Sequence, residues 1–411
     1  MLNTVFYIII AVLLVEYILE RLLQYLNATR WSEKLPEAVK DIYDEERYKK
    51  SQQYDKVNRK FSFITSSFSL ILILVMLFLG GFAFVDQIAR NFTSHPILIT
   101  LLFFAILAIA SDILNTPFNL YDTFVIEERF GFNKTTPKTF VLDKLKTWLL
   151  GAIIGGGLLA LIVWFYHATG QYFWIYGWII IAVFSIFMSM FYSTLIVPLF
   201  NKQRPLEEGE LKSAIQNFCK KVDFKLDDVY VIDGSKRTTK ANAYFSGLGP
   251  KKRIVLFDNL INDLSTEEIV SVLAHEIGHY KKKHTLGMMI LSVINLGITF
   301  FILSLLIGNP ALSKALGSSQ TSFHLGLIAF TILYSPISTI LGIGINWFTR
   351  KNEYAADAFA GYYYDADALG NALKKLSIKN LSNLRPHPAY VFFHYSHPPL
   401  IERLKALEAY K

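Results

Sequence analysis

His275-Glu276-Ile277-Gly278-His279 decides how this chain is read, because it is a metal-hydrolase pattern lying between long apolar segments. Two histidines four apart stand one above the other on a helix face, so both imidazoles reach one metal ion. Glu276 projects toward the same region, where it serves as general base toward water. Ser265 followed by Glu268 is a capping-box signature, and Ile269, Val270, Val272, Leu273 and Ile277 give the ensuing helix its apolar surface.

The surrounding composition is that of a membrane protein. The 411 residues are 53% hydrophobic, 15% aromatic and only 18% charged, where a soluble chain carries about a quarter charged residues. A net charge of +8 is accounted for by loops facing one side of a membrane, and no nucleic-acid partner is needed to explain it. The single cysteine, Cys219, excludes an internal disulfide framework and any multi-cysteine metal site.

Seven apolar segments reach the length of about 20 residues that a bilayer requires; they lie near 4–26, 62–85, 96–117, 147–168, 172–200, 286–308 and 323–348. The first has no small-residue cleavage site and carries Glu16, Glu20 and Arg21 in its distal part, so it reads as a retained helix. The loop after it holds Arg30, Lys34, Lys40, Arg47, Lys49, Lys50, Lys56, Arg59 and Lys60, and the third connection adds Arg129, Lys134, Lys138, Lys144 and Lys146. The opposite loops, near 86–95, 169–171 and 309–321, carry only Arg90 and Lys314. This asymmetry places the N-terminus outside and the C-terminus in the cytoplasm.

The expected organisation is five transmembrane helices with cytoplasmic loops in 1–200 and a cytoplasmic catalytic region with the HExxH helix in 201–285. Helices six and seven follow in 286–348, and a C-terminal cytoplasmic region in 349–411. Strand-like runs at Val229–Ile232 and Arg253–Phe257 beside helical segments predict a zincin-like α+β catalytic domain on the cytoplasmic side of a multi-pass α-helical membrane protein.

Two histidines do not complete a catalytic zinc site; a third protein ligand is required, with water in the fourth place. Glu353, in Asn352-Glu353-Tyr354-Ala355-Ala356-Asp357, is the candidate, expected on an alanine-rich helix just past the seventh span. Asp357 shares its helix face and is placed to accept the other ring N–H of a zinc histidine, His275. The plainer alternative is a solvated helix with two acids on its polar side. His284, behind Lys281-Lys282-Lys283, reads as part of an interfacial anchor and is not expected to bind zinc. His397, stiffened by Pro398 and Pro399, is either an oxyanion donor or a structural histidine in a turn. Nitrogen and oxygen donors with no cysteine nearby favour zinc, one ion per chain.

Several separated stretches then agree on one family. HEIGH, Asn352-Glu353…Asp357 and Ser396-His397-Pro398-Pro399…Arg403 resemble the HExxH, NExxxD and SxHPPxxxR motifs of integral-membrane zinc metalloproteases. Asp233-Gly234-Ser235-Lys236-Arg237 followed by Ala241-Asn242-Ala243-Tyr244-Phe245, together with Ile126-Glu127-Glu128-Arg129-Phe130-Gly131-Phe132-Asn133, is similar to the type I CAAX prenyl endopeptidases. The smaller four-span HtpX-like relatives fit less well, lacking the N-terminal spans. The resemblance implies a barrel of helices around a water-filled chamber, and cleavage of prenylated C-terminal CAAX peptides, of amino-terminal extensions or of polypeptides stalled in translocation. It also implies that Asn242 and Ala243 lie on an edge strand pairing with extended substrate, that His397 stabilises the oxyanion or holds substrate, and that Arg403 supports the site. One departure stands at Lys240, where the family often has histidine.

The expected function is a zinc metalloendopeptidase in which Glu276 and His397 are catalytic and His275, His279 and Glu353 hold the metal. Its partners are a peptide or protein substrate, prenylated at a CAAX motif or not, and the lipid bilayer. An HtpX-like quality-control protease and a non-enzymatic zinc-binding scaffold are the alternatives. Intramembrane cleavage of the site-2 type is disfavoured because acidic Glu267-Glu268 and three lysines flank HEIGH. With no retrieval signal evident at the C-terminus, a bacterial inner membrane is favoured over the endoplasmic reticulum.

Overall fold

The computed structural model describes residues 3–32, 35–40, 44–226, 228–246 and 253–411; Lys34 of the first basic loop lies outside them. Helix α1 (Thr4–Thr29) starts where the Asn3 side chain accepts from the Phe6 N–H. Helix α2 (Glu45–Phe78) begins behind Asp44, which caps the Arg47 N–H, and runs from a charged start into the apolar stretch. It stops at Phe78, short of the expected 85. Gly80 there takes φ +67°, which favours glycine, and at Gly81 a Cβ would lie 2.4 Å from Met76 Sδ. Phe82 and Val85, which prolonged the hydropathy signal, belong instead to the amphipathic α3 (Gly81–Phe92) and pack in one cluster with Ile99 and Phe103 of α4 (Pro96–Tyr121).

A π-helical turn over Asp122–Glu127 ends α4. Helices α5 (Pro137–Leu150) and α6 (Gly156–Thr169) are joined by a second such turn, Gly151–Gly155. Gly170, at φ +53°, turns the chain into α7 (Phe173–Leu195), whose Tyr176 ring stacks on Phe165 of α6 at 4.9 Å.

Strand β1 (Gln203–Pro205), helix α8 (Glu210–Lys221) and strands β2 (Asp228–Ile232), β3 (Ala243–Ser246) and β4 (Arg253–Phe257) come next. The sheet order is β1-β2-β4-β3, with β2 and β4 parallel and the outer pairings antiparallel, so β3 is an edge strand. Helix α9 (Thr266–Lys281) then carries HEIGH behind the expected capping box, and buries Ile269, Val270, Leu273, Ala274 and Ile277 in one cluster with Ile254 and Leu256 of β4.

Helix α10 (His284–Leu306) and helix α11 (Phe323–Ala360) follow, then α12 (Ala366–Lys379), α13 (Pro388–His394) and α14 (Leu400–Leu407). The sequence suggested a span ending at 348 and a separate helix bearing Glu353. The two are one rod, because nothing between 348 and 360 breaks a helix and Asn352-Glu353-Tyr354-Ala355-Ala356 continues it.

Among the described residues, five helical stretches are long and apolar enough to cross a membrane, one of them the pair folded at Gly170. Their most apolar windows bury only 6–22% of their residues inside the protein. Apolar surface exposed on that scale requires lipid around it, and the chain is a multi-pass integral membrane protein. Two polar groups within these helices have partners: Asp112 pairs with Lys144 at 2.8 Å, and Asn346 donates to the Phe393 carbonyl at 2.8 Å. At the α3 end, buried His324 and Asp86 meet at 2.7 Å while Asp86 accepts both contacts from Arg90 Nε, clamping α3 to α11.

The IEERFGFN stretch ties this helical part to the sheet. Glu127 accepts from Lys240 Nζ at 2.8 Å and from the Tyr54 hydroxyl, and Lys240 lies 4.3 Å over the Phe132 ring. Burial opposes the Lys240 charge, but Glu127 and Tyr54 outweigh it and hold the ammonium above the usual lysine range. Arg237 forks onto Asp143 at 2.7 and 2.9 Å, a second tie. A double-mutant cycle of Lys240→Met and Glu127→Gln, read by thermal unfolding in detergent, should give a coupling of about 1 kcal/mol. Additive losses would show that the pair does not connect the two parts.

Candidate active site

Helix α9 presents His275 and His279 one turn apart, their Nε2 atoms 3.1 Å from each other. Helix α11 brings Glu353 against them: Oε2 lies 3.4 Å from His275 Nε2 and Oε1 3.3 Å from His279 Nε2. The approach of the helices is close because Gly278 faces α11, where an added Cβ would stand 3.1 Å from Phe359 Cβ and 3.2 Å from Ala356 Cα. The HExxH pattern places no requirement on the residue at Gly278. Its role in packing follows only from knowing which helix lies opposite.

These three donors form the single His/Cys/Asp/Glu group among the described residues with ligand atoms within 4.8 Å of one another. A small divalent ion held tetrahedrally at about 2.0–2.2 Å sets its donors roughly 3.3–3.6 Å apart, close to the spacing here. Glu353 Oε2 is buried without a hydrogen-bond partner among the described residues, as a carboxylate oxygen kept for a cation would be. The donor set therefore fits a metal. Glu276, half-buried, follows His275 on the same turn.

Behind the triangle lies a buried charge cluster. His275 Nδ1–H donates to Asp357 Oδ1 at 2.8 Å. Arg403 of α14 forks onto Asp357, Nε to Oδ2 at 2.8 Å and Nη2 to Oδ1 at 2.6 Å. Burial opposes a charged His275, yet Asp357 and Glu353 push it up to about 9. Asp357 is 1% exposed, and removing Arg403 would leave its buried charge with His275 as its one remaining partner among these groups.

His397 reaches the open side of the site, with Nε2 3.3 Å from Glu353 Oε1 and Nδ1 2.9 Å from Ser396 Oγ. Its side chain remains 61% exposed, so the ring stands at the open edge of the donor group. His284 stands apart from the ligand triangle but not from the site. Its Nδ1 lies 3.1 Å from His279 Nδ1, on the far side of that ring from Glu353. The basic run concealed this contact in the sequence, because it arises from a reversal of the backbone at Lys283. Ala243 opens the edge strand and Asn242 precedes it, exposed, with its side chain accepting from the Ala243 N–H at 2.9 Å. Lys240 is turned toward Glu127, as described above.

A helical membrane protein with an HExxH helix and a buried third carboxylate is a membrane metalloprotease by class. Residues 24–202 match the family described as CAAX prenyl protease N-terminal, five membrane helices, and residues 205–411 match Peptidase family M48. CAAX prenyl protease 1 of Saccharomyces cerevisiae is 34% identical, covering 96% of this chain and 93% of its own. The homolog from Dictyostelium discoideum is 37% identical over 90% and 88%, and the human homolog 33% over 92% and 89%. The crystal structure of S. mikatae Ste24p superposes with a TM-score of 0.93 at 34% identity, covering 99% of both chains. The chain belongs to the CAAX prenyl protease 1 family of M48 metallopeptidases, and it is an enzyme that hydrolyses peptide bonds.

Two substitutions test the geometry. Asp357→Asn, which keeps shape but loses charge behind His275, should weaken metal affinity about 10–100-fold in a chelator competition. Gly278→Val should force α9 from α11 and leave the purified protein depleted of metal while its helical circular dichroism persists. Full metal content in that variant would show that the close approach is dispensable.

Proposed function

We propose that this chain is a zinc endopeptidase of the CAAX type, with His275, His279 and Glu353 as ligands, Glu276 as general base and His397 as oxyanion donor. The observation that carries the reading is the donor triangle of 3.1–3.4 Å with the HExxH glutamate on the same helical turn. Zinc is favoured over softer or redox metals because all donors are nitrogen and oxygen. When bound, it would supply Lewis-acid polarisation and lower the pKa of water.

The protein's own groups divide the remaining work. Glu276 takes the proton from the attacking water and returns it to the leaving amine. His397, at the open edge of the donor group, donates from Nε2 to the carbonyl oxygen as it becomes tetrahedral. Asp357 keeps the His275 tautomer with Nε2 free for the metal, and Arg403 neutralises Asp357. Asn242 and the edge strand at Ala243 hold the substrate extended by main-chain pairing.

The same reading extends to topology. The fold of 137–200 into two helices, with α1 added to the five apolar stretches, supports seven spans. We divide the chain at 200, 285 and 348 into five helices, catalytic region, two helices and C-terminal catalytic part. Loop charge supports a cytoplasmic site and an outside N-terminus. A cavity of about 660 Å³ lined by Glu16, Glu20, Thr331 and Ser335 supports an internal chamber. The bacterial membrane expected from sequence gains no support from the relatives named above, which are eukaryotic. The HtpX-like and scaffold alternatives find no matching observation.

Detergent-purified wild type and Glu276→Gln should be compared on a prenylated CAAX reporter peptide and its unprenylated twin, with metal identity and content measured in parallel. The variant should retain one zinc per chain and lose about 10²–10⁴-fold in rate. Preference for the prenylated peptide would establish the lipid as part of the recognised substrate. Equal cleavage would instead place this enzyme among general peptidases, and undiminished activity in Glu276→Gln would remove the mechanism.

A further inference from the structure

We propose that the groove between the C-terminal part of α1 and the middle of α2, where α2 passes from charged to apolar residues, is a binding site for the headgroup of an anionic phospholipid. The groove has a volume of about 640 Å³ and is lined by Arg21, Lys56, Arg59 and Lys60, with Phe63 and Ile64 below them. It contains four cations and no carboxylate. The acids nearby are already engaged: Asp55 pairs with Arg59 at 3.0 Å, and Glu20 with His394 at 3.1 Å and Gln24 at 2.9 Å. Among the described residues Arg21, Lys56 and Lys60 form no ion pair, and buried Arg21 Nε has no hydrogen-bond partner.

The site is also shaped. The Arg21 guanidinium is held over the Tyr17 and Phe63 rings, 5.4 and 5.7 Å from their centroids, so its position is set before any anion arrives. Lys56, Arg59 and Lys60 occupy the last polar turns of α2 before its apolar stretch. Phe63 and Ile64 begin that stretch, 53% and 55% exposed. Cations at headgroup depth above exposed apolar side chains match a phosphate with an acyl chain beneath it, which a free phosphate ion would use only in part.

The groove lies beside the anchor of the C-terminal segment. Gln24 of α1, which lines it, donates to the Tyr390 hydroxyl of α13 at 3.2 Å, and Asn27 accepts from the His387 N–H at 2.9 Å. A headgroup drawing α1 and α2 together therefore braces the helix on which α13 rests. The assignment is independent of which leaflet this end faces and of the peptide the enzyme cleaves.

Purified full-length protein in detergent should be titrated with dioleoylphosphatidylserine, dioleoylphosphatidylcholine or inorganic phosphate, with bound lipid counted by native mass spectrometry and stability followed by thermal unfolding. Phosphatidylserine should bind and raise Tm, with an effect that declines as salt is added, while the other two leave Tm unchanged. Arg21→Gln with Lys60→Gln should weaken phosphatidylserine binding roughly 30-fold. Lys56→Gln with Lys60→Gln, both at exposed positions, serves if the first pair fails to fold. Equal responses to phosphatidylcholine or phosphate, or wild-type phosphatidylserine binding by a folded double variant, would overturn the assignment.

Discussion

The arrangement depends on a charge that is unfavourable where it stands. Asp357 is 1% exposed, and an isolated carboxylate at that depth would take up a proton or push the helices apart. It stays because Arg403 gives it two short contacts and His275 a third. The three groups come from α11, α14 and α9, so the helices that surround the metal position are held jointly. Apolar replacements of similar volume would keep these helices packed. They would not fix the ring of His275, which needs an acceptor at Nδ1 for Nε2 to face Glu353. The cluster is therefore a device for orientation more than a source of stability.

Orientation relative to the membrane is fixed by a second device. Because α11 runs unbroken from Phe323 to Ala360, Glu353 is rigidly continuous with an apolar rod, and Gly278 lets α9 lie directly against it. The edge strand β3 is tied down separately, through Lys240 to Glu127 and Tyr54 at the ends of other helices. The donor triangle and the edge strand thus reach the membrane helices along two separate routes.

What the sequence disclosed follows the range of the interactions. Periodicity and spacing are local, so the capping box at Ser265 and Glu268, strand β4 and the shared face of Glu353 and Asp357 were all readable. Span limits failed where one backbone angle decided the matter. Apolar residues continue past Phe78, and only the left-handed Gly80 shows that they belong to another helix. The helix-packing role of Gly278, the Glu127 partner of Lys240 and the contact of His284 with His279 each depend on groups distant in sequence or on a reversed backbone. No local pattern records them.

Lys283 decides whether the HEIGH helix and the apolar helix after it form one rod or two. Had α9 continued into α10, HEIGH would have been the polar start of a single long span. Instead Lys283 adopts φ +60°, ψ +26°, a left-handed conformation that is unfavourable for a lysine, by about 1–2 kcal/mol. The reversal lies two residues after α9 ends at Lys281 and starts α10 in a new direction, with His284 folded back onto His279. The strain is thus located at the joint between the site helix and the span. It sets the helix that carries HEIGH apart from the apolar helix that follows it.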